Sequence, residues 1–315
     1  MLISLEAKRQ LAYQALMQRS LIGKLSLAYL AQSGAKLMQK AKLHAHFFGD
    51  GSLYQTSLHL AFFGLSLPYD YQDLEKILLP EQTLKILYIF ERRIAKRIPV
   101  EYITHQATYL SHDFYINQHV LVPRSIMSTR FQDFLTLCTW QNYRVLDLCT
   151  GSGCIGISLA LLHPNLIIDL VDISAEALAV ANINIQKHGL THRVKTIQSN
   201  LFQNVASKYD LIITNPPYVS TKDYQNTPLE FKNEPTIALE AGKDGLKLIH
   251  PILSQAKPYL NPEGLLIAEV GYASAKLIKK HYKNIPLTWF KYRRPNGKES
   301  WLGMDGTFLC QAKDL

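Results

Sequence analysis

The sequence contains little cysteine and no long apolar run, and each absence excludes a class of protein. No uninterrupted apolar stretch reaches the length of a membrane span, so we expect no transmembrane helix. The four cysteines show no Cys-x-x-Cys spacing, which argues against a disulfide framework and a zinc site and favours reduced core thiols. They are Cys138, Cys149, Cys154 and Cys310.

The beginning of the chain lacks the pattern of a signal peptide. Glu6, Lys8 and Arg9 stand where such a peptide needs its apolar stretch, so we expect a cytoplasmic protein. Clustered metal ligands are missing as well: of the eleven histidines only His44 and His46 are close in sequence, and they have no acidic or thiol neighbour. We therefore expect no metal site.

Acidic residues are outnumbered, with 25 Asp and Glu against 34 Lys and Arg and a formal net charge of +9. Residues 276–298 account for nearly all of this surplus, because they hold eight basic residues and no acidic one. Two interpretations are open for this segment. It is either a solvated helix face followed by a loop, or a surface that contacts nucleic acid.

The length of 315 residues, of which 47% are hydrophobic, excludes a disordered or fibrous protein and predicts about two domains. Residues 1–98 show no good β pattern and predict a small helical domain, with helices at 11–16, 53–63 and 81–96. Residues 99–125 alternate β-branched or aromatic residues with polar ones. That alternation predicts a β-hairpin linker.

Residues 126–315 form the second predicted domain, and beyond residue 142 its pattern is regularly α/β. The expected strands are 144–148, 166–171, 194–197, 211–214, 265–270, 287–292 and 307–311. The expected helices are 155–163, 175–188, 245–258 and 273–281. Because strands alternate with helices of 10 to 15 residues, we expect a doubly wound parallel sheet.

A glycine-rich loop follows the first of these strands in VLDLCTGSGCIGISLA. Gly151 and Gly153 let the backbone approach a ligand closely, and the following helix directs N–H groups at it. Asp147 ends the strand and would hold a cationic ligand, whereas a pyrophosphate would be repelled. Asp172 ends the next strand and can accept hydrogen bonds from ribose hydroxyls. A dinucleotide and S-adenosylmethionine would both use Asp172, so this motif leaves both open.

The second motif, Asn215-Pro216-Pro217-Tyr218, ends the fourth strand, where ligands bind in open α/β sheets. A planar NH2 group that accepts a methyl group needs hydrogen-bond acceptors that aim its nitrogen. The Asn215 side-chain oxygen and the Pro216 carbonyl can supply two, and Tyr218 offers a flat face for stacking. Together the two motifs resemble the amino-methyltransferases that act on adenine, guanine or glutamine side-chain nitrogens, with S-adenosylmethionine as cofactor.

The segments around the two motifs indicate which family of amino-methyltransferases the chain resembles. RIPVEYIT, FYINQHVLVPR, NEPTIALEAGKDGL and GLLIAEVG look like the protein-glutamine methyltransferases, and Leu121 to Ser125 looks most like the branch that modifies the third large-subunit ribosomal protein. The resemblance covers most of the chain from about residue 45. It implies a Rossmann-like class I methyltransferase fold with a seven-stranded sheet and an N-terminal helical domain for substrate recognition.

The resemblance also implies site residues. Asn215, Pro216, Pro217 and Tyr218 would hold the glutamine, with Asn215, Pro216 and Tyr218 as the catalytic residues. Asp147, Asp172 and Asn215 would contact the cofactor, together with Cys149, Thr150, Gly151, Ser152, Gly153, Asn200 and Leu201. Arg124 and Glu234 match family positions and either bracket the substrate peptide or form a structural ion pair.

Two departures from the family pattern stand out. Asn200 replaces the usual Asp, which keeps a carbonyl oxygen for the adenine amino group but removes a charge. The connection at residues 293–306 is longer than in the family.

The expected reaction is an in-line methyl transfer to a glutamine amide nitrogen, for which no metal is needed because the sulfonium donor is already activated. The expected partner is the large-subunit ribosomal protein, and for residues 276–298 a ribosomal RNA contact stays open beside the solvated helix face and loop. Three alternatives stay open at this point. They are a methyltransferase of peptide chain release factors, a DNA or ribosomal RNA methyltransferase, and a nonenzymatic ribosome assembly factor.

Overall fold

The computed structural model describes residues 13–19, 25–43, 52–127, 143–290, 292–293, 299–300 and 306–315. The chain divides into two compact units, residues 1–105 and 106–315. This division falls inside the segment 99–125 that the sequence assigns to a linker.

The first unit is built mainly from helices. They are α1 (13–19), α2 (Leu27–Lys40), α3 (Leu53–Leu65), α4 (Pro80–Ala95) and α5 (Val100–Thr104). Serine hydroxyls begin two of them: Ser26 Oγ accepts from the Tyr29 N–H at 3.2 Å, and Ser52 Oγ accepts from the Gln55 N–H at 3.0 Å. Leucine, isoleucine and phenylalanine side chains of α2, α3 and α4 fill a common core.

Two predictions for this unit need correction. The segment before residue 98 does contain strands, because β1 (Leu25–Ser26) pairs antiparallel with β2 (Ile77–Leu78). A ladder of two residues on each side is too short to produce a visible alternation in sequence. Helix α2 is also absent from the predicted helices, although its buried residues recur at helical spacing, as Leu27, Leu30, Ala31, Gly34, Leu37 and Met38.

The second unit opens with a hairpin of β3 (Gln106–Tyr109) and β4 (His112–Tyr115). Within the predicted linker 99–125 the strands occupy only the middle, since residues 100–104 are helical and residues 116–125 form no strand. Beyond the hairpin, the described residues form a seven-stranded sheet. Its strands are β5 (Arg144–Leu148), β6 (Ile167–Asp172), β7 (Val194–Gln198), β8 (Tyr209–Thr214), β9 (Leu260–Val270), β10 (Thr288–Phe290) and β13 (Gly306–Gln311).

The strand order is β10-β13-β9-β8-β5-β6-β7. The strands from β9 to β7 pair in parallel, whereas β13 is antiparallel to both of its neighbours. The seven-stranded α/β fold is therefore confirmed, but the sheet is mixed and not wholly parallel. The two-residue strands β11 (Tyr292–Arg293) and β12 (Glu299–Ser300) pair separately, and most of the 293–306 connection lies outside the described residues.

Helices accompany this sheet: α6 (Cys154–Leu162), α7 (Ala175–Lys187), α8 (Thr221–Gln225), α9 (Ile249–Gln255) and α10 (Tyr272–His281). Leu146, Leu148 and Ile212 pack in one core with residues of α9 and α10, while α6 and α7 pack against β6. None of the described helices has both the length and the apolar character that crossing a membrane requires.

The expected helix 245–258 is shorter in the structure. Gly245 has a positive φ of 77°, and the Asp244 carboxylate accepts from the Leu246 N–H at 3.0 Å. This turn delays the start of α9 to Ile249. In the opposite direction, β9 begins five residues before the expected Leu265, at Leu260.

Candidate active site

A cavity of about 350 Å³ lies at the carboxyl ends of β5, β6 and β8. The loops that follow these strands and the segment 119–125 line it. In an open α/β sheet this edge is where ligands bind, because the loops diverge there and leave a crevice. Both sequence motifs open onto this cavity.

The glycine loop after β5 is held in a tight turn. Cys149, Gly151 and Gly153 all have positive φ, at 62°, 57° and 81°. The Thr150 N–H donates to the Val171 carbonyl at 2.9 Å, and the Gly153 N–H donates to the Thr150 carbonyl at 3.0 Å. The loop is therefore fixed to the end of β6 before any ligand binds.

Asp172 connects this loop to the next helix. One carboxylate oxygen accepts from the Gly151 N–H at 2.9 Å, and the other accepts from the Ser174 N–H at 3.0 Å. Burial raises the pKa of Asp172, and these two backbone hydrogen bonds partly offset the rise. Each oxygen keeps a lone pair, so the carboxylate can still accept a hydroxyl from the cavity.

Asp147 lies beneath the loop and is not part of the cavity lining. It is fully buried. Its Oδ2 accepts from the Thr150 hydroxyl at 2.6 Å and from the Gly156 N–H at 2.9 Å. Burial raises the pKa of Asp147 to about 7. In this geometry Asp147 joins the loop to α6.

The Asn-Pro-Pro-Tyr turn places an amide oxygen at the cavity. Asn215 lines it, and its Oδ1 is buried and has no hydrogen-bond partner among the described residues. The turn is anchored on both sides: the Thr214 hydroxyl donates to the Leu148 carbonyl at 2.7 Å, and the Ser274 hydroxyl donates to the Tyr218 carbonyl at 3.2 Å. An unpartnered buried acceptor is costly. A ligand N–H donor would remove that cost.

Residues 119–125, here called the strap, contribute one side of the cavity. Glu234, which is buried, holds the strap through both oxygens: Oε1 accepts from Arg124 Nη1 at 2.8 Å, and Oε2 accepts from the Val122 N–H at 3.1 Å. The Arg124 guanidinium also lies over the Phe231 ring, 4.7 Å from its centroid. Arg124 and Glu234 thus form the ion pair that was one of the two interpretations of these residues. Of the two, Arg124 lines the cavity and Glu234 does not.

The predicted site residues divide into two groups. Those that line the cavity are Arg124, Cys149, Thr150, Gly151, Ser152, Asp172, Asn200, Leu201, Asn215 and Pro217. Those that lie close to it but outside the lining are Asp147, Gly153, Pro216, Tyr218 and Glu234. Asn200 is exposed at the cavity rim, and Leu201 follows it with a positive φ of 51°.

Sequence reasoning missed other lining residues. They are mainly His119, Ser125, Ile237, Glu240 and Lys247. All five stand in or directly beside segments that carry the family resemblance, and that position is the signal that could have identified them.

The cysteines near the loop are suited to packing. Cys149, Cys154 and Cys310 are free thiols, and Cys138 lies outside the described residues. Burial raises the pKa of Cys149, with the nearby Asp172 charge as a second cause, and burial raises the pKa of Cys154 to about 12. Both thiols are therefore neutral near pH 7 and poor nucleophiles. The described residues contain no cluster of three or more His, Cys, Asp or Glu that could hold a metal ion.

Comparison with known proteins identifies the class first. The family model for the Methyltransferase small domain matches residues 131–242. This match assigns a methyltransferase domain to the part of the chain that holds the glycine loop and the Asn-Pro-Pro-Tyr turn.

The particular family follows from closer relatives. The ribosomal protein uL3 glutamine methyltransferase of Neisseria gonorrhoeae is 39% identical over 254 residues, which cover 78% of this chain and 84% of that protein. The protein of the same name from Neisseria meningitidis serogroup A is 38% identical over 254 residues, 78% of this chain and 83% of that protein. The chain belongs to the family of ribosomal protein uL3 glutamine methyltransferases.

Among solved structures, the catalytic domain of hMettl16 in complex with MAT2A 3'UTR hairpin 6 has a TM-score of 0.50 and 13% identity, and covers 75% of this chain and 84% of that chain. This likeness concerns the fold alone. The predictions of the fold class, of a methyltransferase and of its family are therefore confirmed.

Proposed function

We propose that this protein transfers a methyl group from S-adenosylmethionine to the side-chain amide nitrogen of a glutamine in ribosomal protein uL3. The acceptor is the one that the relatives' names give. The observation that carries the proposal is the buried, unpartnered Oδ1 of Asn215 at the cavity. A primary amide supplies the N–H donor that this oxygen lacks.

The cavity fits S-adenosylmethionine. At Gly151 an added β-carbon would meet no heavy atom within 4 Å, so the backbone is open to a ligand there. Asp172 lines the same cavity and can accept ribose hydroxyls. Leu201 and Asn200 would flank the adenine, with the Asn200 carbonyl oxygen as acceptor for its amino group. When bound, S-adenosylmethionine supplies a methyl group that its sulfonium already activates.

The work of the protein's own residues is then to orient the acceptor. Asn215 Oδ1 accepts one amide N–H of the glutamine, and the Pro216 carbonyl accepts the second. These two bonds aim the nitrogen, and the Tyr218 ring gives the planar amide a face to stack on. The amide nitrogen forms the N–CH3 bond as the S–CH3 bond of the donor breaks, which would leave S-adenosylhomocysteine as the neutral thioether, and one amide proton leaves to solvent.

Arg124 and Glu234 contribute to substrate binding in different ways, Arg124 by direct contact and Glu234 by supporting the strap. Arg124 lines the cavity beside the acceptor and can contact the carbonyl groups of the substrate chain, because a guanidinium offers five N–H donors. Glu234 fixes Arg124 and Val122 in place through its two hydrogen-bonded oxygens. We assign Glu234 to the support of the strap.

Three further assignments complete the proposal. The helical residues 1–98 recognise the substrate protein, and the enzyme acts in the cytoplasm, where ribosomal proteins are made. The basic segment 276–298 contacts ribosomal RNA beside the acceptor. Its described part supports this role, because Lys276, Lys279, Lys280 and Lys283 are exposed and can pair with phosphates.

The test uses the full-length protein, tritiated S-adenosylmethionine and uL3 purified from cells that lack the enzyme. We expect label in uL3, resistant to ribonuclease, and mass spectrometry should find one glutamine heavier by one methylene. Release factors and naked ribosomal RNA are assayed in parallel. Label in a release factor alone, or label that ribonuclease removes, would contradict the proposal.

A further inference from the structure

Glu269 is a buried carboxylate that reaches two parts of the site. It stands one residue before the end of β9 and is 2% exposed. Its Oε2 accepts from the Ser125 hydroxyl at 2.5 Å, and its Oε1 lies 3.5 Å from the Tyr218 hydroxyl. Ser125 belongs to the strap and Tyr218 to the Asn-Pro-Pro-Tyr turn. One side chain therefore joins two segments that lie far apart in sequence.

The contact with Ser125 is geometrically fixed. The Ser125 Oγ donates to Glu269 and accepts from the Met127 N–H at 3.2 Å, so the hydroxyl acts both as a donor and as an acceptor. The Ser125 side chain is itself buried. Because a buried carboxylate is costly without hydrogen bonds, Glu269 strongly favours the strap position that brings Ser125 to it.

The Tyr218 ring is confined on a second side. An added β-carbon on Gly271 would lie 3.0 Å from Tyr218 Cδ2, so the ring packs directly on the backbone that follows β9. The hydroxyl end of the ring then points at Glu269. The ring is thus in contact with backbone at its Cδ2 side and with the Glu269 carboxylate at its hydroxyl end.

The strap is thus held by two carboxylates at different points along its length. Glu234 holds Val122 and Arg124, and Glu269 holds Ser125. A rigid strap matters for rate because a displacement of about 1 Å at a reacting group can cost on the order of 10²-fold.

We propose that Glu269 is a positioning residue for methyl transfer, which keeps the strap and the Tyr218 ring in a fixed relation to Asn215. This inference rests on the proposed function. Glu269 acts through Ser125 and Tyr218 and does not touch the glutamine. Replacement by glutamine preserves its shape but turns one acceptor oxygen into an NH2 donor, so one of the two hydroxyls must rotate its proton away and accept instead of donate.

The experiment compares Glu269→Gln, Ser125→Ala and the double variant with the wild type. We expect kcat for uL3 methylation to fall by about tenfold to 10²-fold in Glu269→Gln, with the dissociation constant for S-adenosylhomocysteine changed by less than about twofold. Ser125→Ala should lower kcat in the same way. The double variant should be little worse than Glu269→Gln alone, because the two residues act through one contact.

Thr307→Val is the matched control. Thr307 pairs directly with Glu269 across β13 and β9 and is buried, and its Oγ1 has no hydrogen-bond partner among the described residues. An unchanged kcat in Glu269→Gln, or an equal loss in Thr307→Val, would overturn the inference. So would a loss of S-adenosylhomocysteine binding as large as the loss of kcat, since that indicates general damage. A wild-type protein that labels no uL3 would overturn the proposed function, and the inference with it.

Discussion

The Asp147 carboxylate and the Thr150 hydroxyl form a buried hydrogen bond of 2.6 Å beneath the glycine loop. The same carboxylate oxygen accepts from the Gly156 N–H on α6, while Oδ1 has no partner among the described residues. Asp147 thus supports the loop from below, although its charge is poorly solvated. Burial raises its pKa from 3.8 to about 7.

This raised pKa predicts a pH dependence of stability. Because the folded-state pKa exceeds the unfolded one, the folded protein binds the proton more tightly, and the contribution of Asp147 is fully present below about pH 4. It is lost as the pH rises to about 7. In Asp147→Asn, which keeps an oxygen acceptor, the unfolding free energy should fall less over this range than in the wild type. The two proteins should differ in this fall of the unfolding free energy by roughly 1.4 kcal/mol for every tenfold ratio between the proton affinities of the folded and unfolded states.

Urea unfolding of both proteins between pH 4.5 and 8 checks this expectation. Other carboxylates and histidines titrate in both proteins, so only the difference between the two curves reports on Asp147. Curves that stay parallel across the range would show that Asp147 does not hold its proton in the folded state.

Removal of the Asn215 amide should abolish most of the activity. Asn215→Ala takes away the unpartnered acceptor at the cavity, and we expect kcat for uL3 to fall by roughly 10² or more, the scale for one preorganised polar partner. S-adenosylhomocysteine affinity, measured by calorimetry, should change little. Near-full activity of Asn215→Ala on uL3 would exclude the assigned role.

Gly151 in the glycine loop and Gly156 in the first turn of α6 should respond differently to alanine. At Gly156 a β-carbon would lie 2.4 Å from Leu170 Cδ2 and 3.0 Å from Asp147 Oδ2, so overpacking should destabilise the protein by about 1–3 kcal/mol. At Gly151 the β-carbon meets open space but φ is +57°, which costs about 1–2 kcal/mol. Gly151→Ala should chiefly weaken cofactor binding, because Gly151 lines the cavity and its added methyl group meets no protein atom.

Thermal unfolding and S-adenosylhomocysteine titration of the two variants separate these effects. We expect the ratio of lost affinity to lost stability to be larger for Gly151→Ala. The opposite order would show that the cofactor binds elsewhere than over Gly151.

Local signals explain what can be predicted from sequence. The sequence predicts the strand Arg144–Leu148 to the residue, because an apolar run between polar residues and a glycine loop has no other good interpretation. It also predicts Asn215 at the cavity, because strand ends in an α/β sheet converge on one edge. In both cases the determining residues are neighbours in sequence.

Long-range contacts explain what cannot be predicted. The strap has no regular secondary structure, and its position depends on Glu234, 112 residues away from Val122. Glu269 lies near the end of an apolar strand, where a sequence gives no hint that its carboxylate turns inward to Ser125. Such pairings become visible only once the sheet order brings β9 beside β8.

The basic residues of α10 and of the turn after it give the last prediction. Lys276 and Lys283 are exposed, and the first turn of the helix is hydrogen-bonded to the acceptor turn through Ser274 and Tyr218. If this surface contacts ribosomal RNA, Lys276→Glu with Lys283→Glu should weaken binding to ribosomal particles that carry unmethylated uL3 by about tenfold or more. The slope of log affinity against log salt should become shallower, by about one for each phosphate that the variant no longer neutralises.

Methylation of free uL3 should be unchanged, because no phosphate takes part in that reaction. The control pair, Lys187→Glu with Lys208→Glu, removes the same charge from exposed sites that precede β7 and β8 and lie outside α10 and its following turn. Equal weakening by the control pair would mean that net charge alone governs particle binding. Equal loss on free uL3 and on particles would mean that this surface contacts the substrate protein instead of RNA.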